Sequence, residues 1–150
     1  IVLVQPEIPG NTGAVGRTCV ALDMELILIR PLGFDISDKR VKRSGLDYWP
    51  HIRLVEFVNW KAFIAERAPR DDQLFLFEEY AERSFYEPDY PADAYLVFGR
   101  ETKGIPPEIV DAHRAQMVKL PMRSDKVRSL NLANTVAAAA YQAMRKHLPE

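Results

Sequence analysis

The chain has 150 residues, the size of a single domain, and a near-average globular mixture of 47% hydrophobic, 27% charged and 10% aromatic residues. Twenty Lys and Arg against 21 Asp and Glu leave a net charge of -1, which taken alone argues against a strongly basic nucleic-acid binder. The single cysteine, Cys19, excludes an intramolecular disulfide framework, and His51, His113 and His147 share no ligand spacing, so no structural zinc or other metal is expected.

No apolar run approaches the roughly 18 residues of a membrane span, and no signal-peptide pattern is present. A protein of the cytoplasm, with no membrane partner, is the plain expectation. The chain starts at Ile1 inside an apolar run and without Met, which leaves room for a few natural residues before it.

In chain order, a predicted strand over Ile1–Gln5 runs through the loop Pro6–Gly10 into a helix over Asn11–Leu22, with Asn11 or Thr12 expected as its N-cap. Gly13 and Gly16 then fall inside that helix. Each costs up to about 1 kcal/mol relative to Ala, so a close approach by a backbone or a ligand should offset it. Arg17 projects one turn beyond Gly13, and a solvent ion pair is the plain alternative to a working role for it. The spacing Gly10-x-x-Gly13-x-x-Gly16 resembles a dinucleotide fingerprint only weakly. Its first gap is one residue too long, and the next strand, Glu25–Arg30, ends in Arg30 where a ribose-binding acid belongs.

A dense basic cluster, Lys39, Arg40, Lys42 and Arg43, is followed closely by Tyr48, Trp49 and His51. Basic residues beside aromatics suit a phosphate backbone with splayed bases, although a solvated helix face is the commoner outcome. Then come a strand over Ile52–Phe57, a helix over Val58–Ala68 and a strand over Gln73–Phe77. The acid-rich stretch Glu78–Pro91 lacks periodicity and reads as a surface loop of the kind that borders ligands in α/β folds.

A strand over Ala94–Phe98 ends in the turn Gly99-Arg-Glu-Thr-Lys-Gly104, and a helix over Pro107–Ala112 follows. The gap from Gly99 to Gly104 is that of a phosphate loop, but Ile105 stands where Lys-Ser/Thr is required, so a nucleotide triphosphate site of that type is rejected. What remains is a backbone-lined turn holding Glu101. Last come a strand over Gln116–Leu120, a polar turn carrying Arg123, Lys126 and Arg128, and a helix over Leu130–His147 capped by Ser129. Asn131 and Asn134 fall on one side of that helix's first turns. Ala137–Ala140 gives it a slim face for close packing in the core or between subunits. Strand–helix alternation throughout predicts one α/β domain over residues 1–150, a mostly parallel sheet with helices on both faces.

Three of these loops together resemble the sequence motifs of the SPOUT class of RNA methyltransferases. The first carries Pro6-Glu-Ile-Pro with Asn11-Thr-Gly and Arg17, and the second carries Phe98-Gly with Glu101-Thr and Gly104. The third carries Ser129-Leu-Asn-Leu. Pro31-Leu-Gly-Phe34, Asp38-Lys-Arg and Gly45-Leu-Asp-Tyr48 are similar to the subgroup of small tRNA wobble-nucleotide 2′-O-methyltransferases, which transfer methyl to cytidine or modified uridine at position 34. The resemblance covers nearly the whole chain.

It implies a C-terminal deep trefoil knot, a homodimer, the anticodon stem-loop of tRNA as substrate and S-adenosylmethionine as cofactor. By position, the cofactor pocket would take Phe77, Gly99, Glu101, Gly104, Leu120, Ser129 and Leu130. Arg17 would grip the target phosphate or hydroxyl. Asn11, Glu101, Ser129 and Asn131 would orient it or the ribose. Lys39, Arg40, Lys42, Arg43, Arg123, Lys126 and Arg128 would hold RNA. An arginine stays protonated in proteins, so positioning suits Arg17 better than base catalysis. Glu78-Glu-Tyr-Ala-Glu82 departs from the Thr-Thr-Lys-Gly type of sequence that the family places there.

Two rival readings stand beside this one. They are a relative that methylates another tRNA or rRNA nucleotide, and a non-enzymatic nucleotide-binding α/β module. The charge balance does not oppose RNA binding, because it averages unlike regions. Residues 66–93 hold nine acids and three bases, whereas residues 114–150 hold seven bases and two acids.

Overall fold

Short runs rich in Val, Leu, Ile and Phe, most of them apolar on both faces, are best satisfied as strands covered on two sides. In the computed structural model, which describes residues 1–43 and 47–149, they are β1 (Val2–Val4), β2 (Leu26–Ile29), β3 (Leu54–Phe57), β4 (Leu74–Phe77), β5 (Tyr95–Phe98) and β6 (Met117–Val118). They form one sheet in the order β3-β2-β1-β5-β4-β6, with every pairing parallel. Gly45 and Leu46 of the subgroup signature lie outside the described residues. No helix is long and apolar enough to cross a membrane among the described residues.

Alternation along the strands divides the core in two. Leu3, Leu28, Phe77, Phe98 and Val118 face one side, where they meet Val15 and Cys19 of α1 (Pro9–Ala21) and Val136, Ala139 and Ala140 of α5 (Leu132–Met144). Val4, Ile29, Leu76 and Val97 face the other, against Phe63 of α3 (Trp60–Arg67) and Ile109 and Val110 of α4 (Pro107–Ala112). Each such side chain, fully buried, contributes about 1.5–3 kcal/mol. Of the alanine run of α5, Ala139 and Ala140 are buried in this core, while Ala137 is half-buried and Ala138 exposed.

The glycines of α1 answer to packing. A Cβ on Gly13 would overlap the backbone carbonyl of Val41 in α2 (Lys39–Lys42), and one on Gly16 would strike Ile52. The neighbouring segment therefore lies directly on the helix, and the Tyr48 hydroxyl donates to Gly13 O at 2.6 Å. Arg30, which stands where a dinucleotide fold would place a ribose-binding acid, is paired with Glu56 at 2.6 Å.

Three expectations are corrected. α1 is capped by Ile8 and starts with Pro9, so neither Asn11 nor Thr12 is its N-cap. Proline at the first helical position is already in helical φ and needs no donor there. α5 is capped by Asn131 rather than Ser129, its Oδ1 accepting from Ala133 N and Asn134 N. Asparagine serves an N-cap as well as serine does. The stretch 78–91 is more than a surface loop, since Ala81, Phe85 and Tyr90 are buried, with the Tyr90 ring 4.5 Å from that of Phe75. Those aromatic anchors carry no period, which is why the pattern hid them.

Candidate active site

Ligands in open α/β sheets bind beyond the carboxyl ends of the strands, near the point where strand order reverses. Here that point lies between β1 and β5, and a reciprocal clamp closes it. Glu101, after β5, accepts the main-chain N–H of Glu7 at 2.8 Å and of Ile8 at 3.1 Å. Glu7, after β1, accepts from Thr102 N at 3.1 Å and Thr102 Oγ1 at 2.8 Å. These bonds hold the Glu7 carboxyl below its usual range. Glu101 places negative charge at the amino end of α1, where the helix dipole favours it.

Beside the clamp, a cavity of about 550 Å³ opens at the ends of β4, β5 and β6. Its apolar floor includes Phe77 and Phe98, whose rings stack at 4.7 Å and 18°. Its backbone wall is the turn from Gly99 to Gly104, closed by paired bonds between Arg100 and Gly104. A Cβ on Gly99 would overlap the Gly104 carbonyl carbon and Ile105 N, and Gly104 holds φ of +71°, so both glycines are required by the turn. Leu120, Ser129 and Leu130 close the far side. A flat apolar ring with polar edges suits such a space: stacked aromatics below, main-chain donors and acceptors beside.

Every residue expected in the cofactor pocket lines this cavity: Phe77, Gly99, Glu101, Gly104, Leu120, Ser129 and Leu130. Asn11 and Asn131 line it as well, joined by Asn131 Nδ2 donating to Asn11 Oδ1 at 3.1 Å. Freed from capping α1, Asn11 ties the start of that helix to the start of α5.

Arg17 does not line the cavity. Its guanidinium lies 5.1 Å from the centre of the Tyr48 ring, on the face of α1 covered by the basic segment. In that segment Lys39, Arg40 and Arg43 are exposed and Lys42 is half-buried. Arg40 pairs with Asp38 at 2.7 Å, and Lys42 Nζ is 6.0 Å from the Trp49 ring. Arg123 and Lys126 are exposed outside the cavity lining, while Arg128 reaches its mouth and pairs with Glu79 at 3.1 Å.

Glu78 was not singled out by sequence. It lines the cavity half-buried, and its Oε1 accepts the N–H of Ile105. Burial pushes its carboxyl above the usual range, and Glu79 adds to this, against the opposing pull of Ile105 N–H, Arg100 and Arg128. The departure of Glu78–Glu82 from the family pattern was the one signal that could have found it. Cys19 offers no nucleophile, because burial pushes its thiol up to about 11. Among the described residues no group of three or more His, Cys, Asp or Glu could hold a metal ion.

Residues 1–141 match the SpoU rRNA Methylase family. A tRNA (cytidine(34)-2′-O)-methyltransferase of Burkholderia cenocepacia (strain HI2424) is 42% identical over 147 residues, covering 97% of this chain and 94% of that protein. A solved structure described as giving structural insights into the 2-OH methylation of C/U34 on tRNA superposes with a TM-score of 0.88 at 46% identity, over 97% of this chain and 93% of that one. The SpoU methyltransferase AviRb from Streptomyces viridochromogenes, in complex with the cofactor AdoMet, gives a TM-score of 0.79 at 26% identity, over 97% of this chain and 58% of that one.

Proposed function

The chain belongs to the SpoU rRNA methylase family, and from that premise we infer that it is an S-adenosylmethionine-dependent tRNA 2′-O-methyltransferase acting on cytidine or modified uridine at position 34. The observation that carries this reading is the meeting of all three sequence motifs at one cavity, whose stacked phenylalanines and main-chain wall fit an adenine and its ribose. When bound, the cofactor supplies a methyl group from its sulfonium.

The chain's own residues position the acceptor. Arg17, held over Tyr48 beside the basic segment, grips a phosphate of the target strand in two-pronged fashion and so places the ribose hydroxyl. Asn11 and Asn131 orient the ribose, and Ser129 marks the rim. Glu101 serves by locking the first two loops together. Lys39, Arg40, Lys42 and Arg43, with Arg123, Lys126 and Arg128, hold the anticodon stem-loop.

The knotted C-terminal part and a homodimer belong to the same reading, and the exposed apolar side chains of Ile8, Met122, Val127 and Leu130 support the second of these as a surface for a partner subunit. Working on tRNA, the enzyme belongs in the cytoplasm. Incubating bulk tRNA with the protein and labelled S-adenosylmethionine, then mapping 2′-O-methyl groups, tests the reading. Label at position 34 is the expected result, and label confined to other nucleotides or to rRNA would move the substrate elsewhere in the family.

A further inference from the structure

Glu78 stands where β4 enters the cavity, and three strand ends fix it there. Its main-chain N–H donates to Val118 O at 3.0 Å, at the end of β6. Its Oε1 accepts from Ile105 N, beyond β5, and a Cβ on Gly104 would run into the carboxylate. Oε2 accepts no hydrogen bond from the described residues. Oε2 is not sealed from solvent, since among the described residues Thr12 Oγ1 alone is buried without a partner, so it is the oxygen open to the cavity. A half-buried carboxylate held in place by its neighbours and open on one side attracts a positively charged ligand. Burial raises its proton affinity, against the pull of Ile105 N–H, Arg100 and Arg128.

Resting on the methyltransferase reading above, we propose that Glu78 is a specificity-determining residue that makes the cavity favour the cationic sulfonium form of the cofactor over S-adenosylhomocysteine, its neutral-sulfur product. Adenine, ribose and amino-acid tail are common to both molecules, so their contacts cancel when the two are compared. Only the charge on sulfur differs. A fixed negative charge in a site partly screened from water reads that difference and helps the spent product to leave. The other charged side chains lining the cavity are Glu79, Arg100, Glu101, Lys103, Lys119 and Arg128.

Calorimetric titration of the full chain with S-adenosylmethionine and with S-adenosylhomocysteine tests this. Wild type is expected to prefer S-adenosylmethionine. Glu78→Gln keeps an oxygen acceptor for Ile105 N, and it should lower the ratio of the two affinities by about tenfold. In wild type the same ratio should rise with pH through a range above that of an ordinary carboxylate, and this rise should vanish in the variant. An unchanged ratio, or equal weakening of both ligands, overturns the proposal and leaves Glu78 a structural support. Should the variant not fold, the wild-type pH series decides, and a flat ratio overturns the proposal. Binding of neither ligand by wild type overturns the methyltransferase reading itself, and the proposal with it.

Discussion

The two sides of the cavity are built in opposite ways. On one side, the loops after β1 and β5 are locked by Glu7, Glu101 and Thr102, and the Gly99–Gly104 turn is bonded to itself. On the other, every residue from 121 to 130 is exposed; Arg128 pairs with Glu79, and Lys126 N bonds only within the stretch, to Ser124 Oγ. One wall is finished before any ligand arrives, whereas the other presents bases and apolar side chains outward. A preformed wall gives cofactor affinity at little entropic cost, and an open wall leaves room for a large substrate.

Replacing Arg17 asks whether the finished wall and the methyl acceptor are handled separately. Arg17→Ala should lower turnover on tRNA on the order of a hundredfold or more, since a misplaced acceptor alone has that effect. S-adenosylhomocysteine affinity by calorimetry should hardly move, and parallel loss of both would join what the comparison separates. Gly99→Ala attacks the finished wall directly. Its new Cβ has only backbone to displace, so thermal unfolding should show a loss of about 2 kcal/mol or more, with cofactor binding lost alongside. Retained binding would mean that the turn yields.

Asn131 lies at the junction of the two walls. Asn131→Ala removes the cap of α5 and the link to Asn11, and should destabilise the fold by about 1 kcal/mol by denaturant titration. Asn131→Ser should recover most of that stability but not the link to Asn11, so turnover stays reduced. On the open wall, Arg123→Gln with Lys126→Gln should leave stability and cofactor affinity alone. For each phosphate no longer neutralised, the slope of log affinity for tRNA against log salt should flatten by roughly 0.7–0.9. An unchanged slope would assign both residues to plain solvation.

The sheet was legible because most of its strands are apolar on both faces, and edge strand β3, with Glu56 exposed, still has an apolar run: all six expected runs contain the observed strands within two residues at each end. The cavity was legible through its glycines, since Gly99 and Gly104 mark a turn that other residues cannot make. Illegible were the features built by distant partners. Glu101 bonds to residues more than ninety positions earlier, and Glu78 to Ile105, 27 positions later. No local period encodes such pairs. Gly13 and Gly16 announced a close approach without saying what approached, and it proved to be the segment carrying Val41 and Ile52. The Asn131 cap was misplaced by two residues because Ser129 has the same local chemistry.

The bond from Glu101 to Glu7 and Ile8 also orders events in time. α1 leaves the ribosome well before its partner, because the carboxylate that serves its amino end is encoded 93 residues beyond Ile8. At about 5–20 residues per second, that helix waits several seconds for its missing partner during synthesis. β1 must likewise wait for β5, its neighbour in the sheet. α1 is therefore completed only after β5 and the turn beyond it have been made, and a fragment ending before residue 99 would hold neither the lock nor the cavity that it borders.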